Sequence, residues 1–241
     1  YLNSCEMFRM ETGEWMNLPS MTNKRGSSPS TIVVQHGGSH RIFAFGGYDG
    51  SQMLDCCEYY EIGANEWTMV ESKMTTPRYK TSAALLHHTT IIICGGQDKN
   101  FKSLATCELF DLITLTFDSF PNLIEARYGH AAVHYNGTVI VLGGYGMKSC
   151  ERFDKETNKW VDFTPLNEVH QFFGASVVDD KIFAAAGGYE TVSVEVYDGS
   201  AWAVVTELPS TRLFGSAVNL EGVDIRINGS KPQRSSANLL A

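Results

Sequence analysis

Four pairs of adjacent glycines, at 46–47, 95–96, 143–144 and 187–188, stand 49, 48 and 44 residues apart, and each closes a short apolar run: RIFAFGG, TIIICGG, TVIVLGG and KIFAAAGG. Such runs are too short for independent helices and rich in β-branched and aromatic residues, so they read as strands buried on both faces. Glycines after a strand can also bring backbone amides close to a phosphate. That reading fails here. No Gly-x-x-x-x-Gly-Lys-Ser/Thr or Gly-x-Gly-x-x-Gly is present, and the residues after the first pair, SQMLDCCEYYEI, read as another strand rather than a helix.

Two further landmarks keep the same order. After each glycine pair, and also at the start of the chain, comes a strand with a glutamate and a closing aromatic: CEMFRMETGEW, CEYYEIGANEW, CELFDLITLTF, CERFDKETNKW and VEVYDGSAW. The glutamates are Glu6, Glu58, Glu108, Glu151 and Glu195; the aromatics are Trp15, Trp67, Phe117, Trp160 and Trp202. Ahead of each glycine strand, a basic or polar residue introduces a strand of small residues: RGSSPSTIVV, RYKTSAALL, RYGHAAVHY and QFFGASVV, with RLFGSAVNL near the end of the chain. One period is therefore four strands in roughly 42 to 52 residues, the size of a propeller blade. Small side chains suit the crowded innermost strand, the glycine strand packs between blades, and bulky aromatics cover the wider outer gap.

The sequence of Gly-Gly, Tyr or Phe, then Trp resembles the kelch repeat, from residue 1 to about 230. Phe117 in place of Trp, a two-residue deletion before Trp202, and Gln171 at an otherwise Arg position depart from the pattern. The resemblance implies an all-β kelch β-propeller of about five four-stranded blades, either a five-bladed ring or an incomplete six-bladed one. The expected blades are 212–229 with 1–18, then 25–70, 77–120, 126–163 and 171–205, with 231–241 a flexible tail. Kelch propellers close by pairing strands from both termini in one blade, which removes exposed sheet edges. Here the closing halves would be 1–18 and 212–229. A chain beginning at Tyr1 without methionine is expected to continue upstream.

Composition narrows the chemistry. A formal charge of −8 opposes a general affinity for nucleic acid, which needs clustered Lys and Arg. No stretch approaches the roughly 20 apolar residues of a membrane span, and the first residues lack the basic start and apolar core of a signal peptide. Cys5, Cys57, Cys107 and Cys150 share one register, immediately before the repeated Glu. Being on different blades, they are too far apart to bridge and read as small core thiols. A reduced, cytoplasmic protein follows. The sequons at Asn136 and Asn228 read as Asn-Gly hairpin turns. The seven histidines form no spaced metal motif, so neither metal nor cofactor is expected.

Glu recurs in every repeat, whereas a catalytic acid would break the symmetry once. As a structural residue it would need a donor, and Arg25, Arg78, Arg127 and Arg212 are candidates. Alternatively these arginines are the function. In kelch substrate adaptors, the resemblance implies that residues at this position and just after Gly-Gly bind acidic peptides. The partner-binding set would then be Arg25, Arg78, Arg127, Gln171 and Arg212 with Tyr48, Gln97, Tyr145 and Tyr189. Arginine pairs bidentately with carboxylate, and tyrosine adds area and a hydroxyl. The reading that follows is a non-enzymatic protein-binding module. By analogy it is the substrate-recognition part of a cullin-type ubiquitin ligase adaptor, whose upstream adaptor domain mediates dimerisation. The alternatives are an actin or cytoskeletal scaffold and a carbohydrate-active propeller such as a sugar mutarotase or oxidase.

Overall fold

In a computed structural model of the chain, which describes residues 1–26, 29–188, 191–211, 217–218 and 239–240, every regular element is a strand. Contacts divide the chain into two compact units, residues 1–128 and 129–241.

The first unit opens with β1 (Cys5–Arg9) and β2 (Glu14–Leu18), a two-stranded hairpin. Next comes a four-stranded meander of β3 (Ser30–His36), β4 (Ser39–Phe45), β5 (Cys57–Glu61) and β6 (Thr68–Met69). A second meander follows, of β7 (Ser82–His87), β8 (Thr90–Cys94), β9 (Cys107–Asp111) and β10 (Thr116–Phe120). The second unit repeats the pattern with β11 (Ala131–Tyr135), β12 (Thr138–Gly144), β13 (Met147–Asp154) and β14 (Lys159–Phe163). It does so again with β15 (Gly174–Val178), β16 (Lys181–Ala185), β17 (Ser193–Tyr197) and β18 (Trp202–Glu207). A last short pair joins β19 (Ala217–Val218) to β20 (Leu239–Leu240).

The described residues therefore hold four complete blades where five were expected. The fifth is represented by β1–β2 alone. Its expected complement, 212–229, lies outside the described residues except for β19, which pairs with β20.

Side-chain chemistry sets each strand's depth. The second strands are buried on both faces: β12 entirely, β8 from Ile91 onward. That is the environment a continuous β-branched run fits. The outermost strands are the exposed ones, as in β18, where only Trp202 is buried. Hairpin turns fall where the sequence supplies positive φ. Asn136 and Gly137, at φ 47° and 72°, make the two-residue turn between β11 and β12, a primed turn matched to strand twist. Asn228 lies outside the described residues.

In the first unit the core joins two blades: Phe43 and Phe45 of β4 pack against Phe110 of β9 with ring centroids 5.4 and 5.3 Å apart, and Phe110 meets Phe117 at 4.8 Å. Each such ring contributes about 1.5–3 kcal/mol on burial. Two of the closing tryptophans reach backwards. The indole Nε1 of Trp67 donates to Pro19 O at 3.0 Å and that of Trp202 to Thr164 O at 2.9 Å, tying a blade to the linker before it. Phe117 has no such donor and lies against the aromatic core instead.

Candidate functional site

Among the described residues, three of the glycine pairs are joints to the opening turn of the next repeat. The amide of the second glycine donates to the next blade's first turn: Gly47 N to Arg78 O, Gly96 N to Arg127 O and Gly144 N to His170 O, all at 2.9 Å. The first glycines, Gly46, Gly95 and Gly143, hold φ of 59°, 58° and 56°, and the carbonyl of Arg78 stands where a side chain on Gly46 would project. Left-handed backbone and close approach together require glycine.

The repeated arginine is a strut inside the blade. Arg25 is 4% exposed; its Nε and Nη2 donate to Glu58 Oε1 at 3.0 and 2.8 Å, and its Nη1 donates to the carbonyls of Gly46 and Cys56. Arg78 is fully buried, with Nη2 donating to Glu108 Oε1 at 2.6 Å and Nη1 to the carbonyls of Gly95 and Thr106. The carboxylates are completed by loop amides, Thr22 and Asn23 on Glu58 and Thr75 on Glu108. One guanidinium thus links the glycine joint to the glutamate strand. Arg127 is buried as well, its Nη2 lying 3.5 Å from Glu125 Oε2. Arg25, Arg78 and Arg127 therefore present no guanidinium to a partner, a correction to the ligand-binding expectation. The donors of Arg25 and Arg78 are engaged by acceptors within the fold, which is what a buried cation requires.

In the last complete blade the register differs from the sequence alignment by one residue. Ala184 pairs with Glu195 just as Ala44 pairs with Glu58, so Ala186, at φ 56°, occupies the first-glycine place and Gly187 the second. His170 occupies the arginine place. Its Nε2 lies 3.0 Å from Glu195 Oε1 and its Nδ1 2.5 Å from Ala186 O, the carbonyl equivalent to those that Arg25 and Arg78 engage at Gly46 and Gly95. Both ring nitrogens thus face oxygen atoms of the fold. Burial pushes the Glu195 carboxyl up, but bonds from His170 and the amides of Asn167 and Glu168 outweigh it and leave the group below the ordinary range. Gln171 is therefore the residue after the strut, and Gly188, not Tyr189, follows the joint. Tyr189 and Arg212 lie outside the described residues.

The residues just beyond the strut and just beyond the joint meet on adjoining loops. In the first unit Gly26 bridges to Tyr48 and Tyr79 to Gln97. The Tyr48 ring meets Tyr1 edge-on at 5.1 Å, and its hydroxyl donates to Gly50 O at 3.2 Å. Gln97 is buried, its Nε2 donating to Phe101 O at 3.0 Å. Lys80, two residues after the Arg78 strut, was not among the expected site residues. Its Nζ donates to Gln97 Oε1 at 3.2 Å and sits over the rings of Tyr79 and Tyr128, 4.7 and 5.1 Å from their centroids. Burial pushes the Lys80 ammonium below the ordinary lysine range and the Tyr79 hydroxyl above its own. Phe101, 69% exposed, stands beside Tyr79.

Lys80 has φ 54°, and the equivalent positions Gly129 and Phe172 have 62° and 53°. The turn demands left-handed backbone, yet two blades place a large L-residue there. In the second unit Phe172 meets Tyr145, which is 52% exposed, and Gln171 Oε1 accepts from Gly146 N at 3.1 Å. Of the expected set, Tyr48, Gln97, Tyr145 and Gln171 thus lie on these loops. The sequence signal for Lys80 was its place inside RYK, where RYG stands in the next repeat. Among the described residues no group of three or more His, Cys, Asp or Glu is placed to hold a metal.

A family model described as the KLHDC2/KLHL20/DRC7 Kelch-repeats domain matches residues 1–144 and 31–199. The chain belongs to the kelch-repeat family. Its relatives include the spermatocyte protein spe-26 of Caenorhabditis elegans, 25% identical over 188 residues, 70% of this chain and 32% of that protein. An F-box/kelch-repeat protein of Arabidopsis thaliana is 25% identical over 235 residues, 87% of this chain and 53% of that protein. Kelch-like protein 40 of Xenopus laevis is 35% identical over 152 residues, 58% of this chain and 25% of that protein. The chain thus spans between a quarter and about half of the length of these kelch relatives. The solved structure of YjhT superposes with a TM-score of 0.75 at 14% identity, over 86% of this chain and 78% of that one, and shows the fold alone: a kelch β-propeller.

Proposed function

We propose that this kelch domain is a non-enzymatic protein-binding module that takes an acidic peptide segment on the loop face around Lys80. The carrying observation is Lys80 itself. A lysine held in left-handed backbone costs about 1–2 kcal/mol relative to glycine, and the turn accepts glycine in the next repeat. Flanked by two tyrosine faces and the Gln97 amide, its ammonium is held in a fixed direction, the kind of placed cation that suits a carboxylate. Phe101, against the Tyr79 ring, adds exposed apolar area next to this cation. In the cytoplasm the full-length protein would present this face as the substrate-recognition part of a cullin-type ubiquitin ligase adaptor, an upstream adaptor domain mediating dimerisation. Support for that setting is analogy: relatives named kelch-like and F-box/kelch-repeat proteins, of which this chain matches only a part.

The test is Lys80→Gly, probed on an array of short peptides in which Asp and Glu positions are varied. The variant should fold at least as stably as the parent and lose binding to acidic peptides tenfold or more. Equal binding by both proteins, or binding to a glycan array in place of peptides, would overturn the assignment.

A further inference from the structure

Cys94 and Cys107 face each other across β8 and β9. The hydrogen-bond pattern fixes which kind of cross-strand pair they make. Leu112 N donates to Thr89 O at 2.9 Å and Gly95 N to Thr106 O at 3.1 Å, so the residue pairs 89/112 and 95/106 are bonded ones. Antiparallel pairs alternate, which makes Cys94 and Cys107 a non-bonded pair, with Cα atoms about 4.5 Å apart. That falls within the roughly 4.4–6.8 Å range a disulfide spans, and directly opposite side chains share one face of the sheet. No other cysteine within the named strands has a thiol opposite it. Cys5 faces Leu18, Cys57 faces Phe45, and Cys150 faces Leu142 and Phe163.

We propose that Cys94 and Cys107 form a reversible redox site that closes to a disulfide under thiol oxidants such as glutathione disulfide. In the balanced step one thiolate attacks glutathione disulfide and releases one glutathione. The second thiolate then displaces the other, so two thiols and one glutathione disulfide become one protein disulfide and two reduced glutathiones. Both thiols are buried, 0% and 3% exposed, so the oxidant enters only when the strand ends open locally, and closure is slow rather than diffusion-limited. The bond would clamp the root of the 95–106 loop, three residues before Gln97. It would therefore act on the loop that carries Gln97 and Phe101.

The folded chain is equilibrated across a series of glutathione disulfide to glutathione ratios, blocked with N-ethylmaleimide and digested with trypsin. Peptides 81–99 and 103–127, which carry the two cysteines, should appear joined and two hydrogens lighter than their sum, and separate again with dithiothreitol. Cys94→Ser and Cys107→Ser should each abolish the joined species. Thiols that stay unlinked at every ratio while Cys5 takes up glutathione would overturn the site, as would linkage that appears only in denaturant.

Discussion

At the scale of single residues, the recurrent arginine shows why a repeated charge is ambiguous in a sequence and decisive in a structure. RYK and RYG place a cation at a turn, where either a strut or a ligand contact is chemically reasonable. What separates them is depth: Arg78 is fully buried and bonded to Glu108, Gly95 and Thr106. Removing one member of such a pair leaves a buried charge uncompensated, at a cost of about 3–5 kcal/mol. Arg78→Ala should therefore lower the denaturant midpoint sharply, while Arg78→Met combined with Glu108→Met should lose less than the two single changes summed. Additive losses in that double-mutant cycle would refute the strut. Lys80 escaped sequence reasoning for the opposite reason. It belongs to one repeat, and its meaning comes from a backbone angle that residue types do not display.

At the scale of elements, the strand pattern was legible because the glycine strand, the glutamate strand and the closing aromatic each have their own composition and keep their order. Register was less legible. In KIFAAAGG the eye aligns Gly-Gly with Gly-Gly, but cross-strand pairing aligns Ala184 with Glu195 and hands the first joint position to Ala186. The same one-residue shift moves the strut from Gln171 to His170. Two compensating irregularities, a non-glycine in left-handed backbone and a histidine in an arginine's place, therefore concealed a conserved geometry. Ala186 carries the cost of its φ of 56°. Ala186→Gly should raise the melting temperature by relieving it, about 1 kcal/mol less the chain entropy that glycine adds in the unfolded state. A fall in melting temperature would mean that the alanine methyl contributes more by packing than the angle costs.

At the scale of the whole molecule, charge sets a condition on the proposed partner. The chain has a formal charge of −8, so an acidic peptide is repelled at long range, and the attraction to Lys80 that the proposal requires is a short-range one. Raising salt from about 0.01 to 0.15 M shortens the screening length from roughly 30 to 8 Å and removes the repulsion before it weakens a close contact. The association rate in stopped flow should then rise with salt; a steep fall would point to attractive steering and a different ligand. The fold class could be read from repetition alone, whereas the complete blade count could not, because β1–β2 is only half a repeat. The joint carries one more consequence. Among the described residues three copies present a glycine amide to a strut carbonyl in the same way, Gly47 to Arg78, Gly96 to Arg127 and Gly144 to His170. Unequal crossing-over that duplicates or deletes one whole period leaves matching ends wherever it falls, so a gene built this way can change its number of repeats in a single event without inventing a new interface.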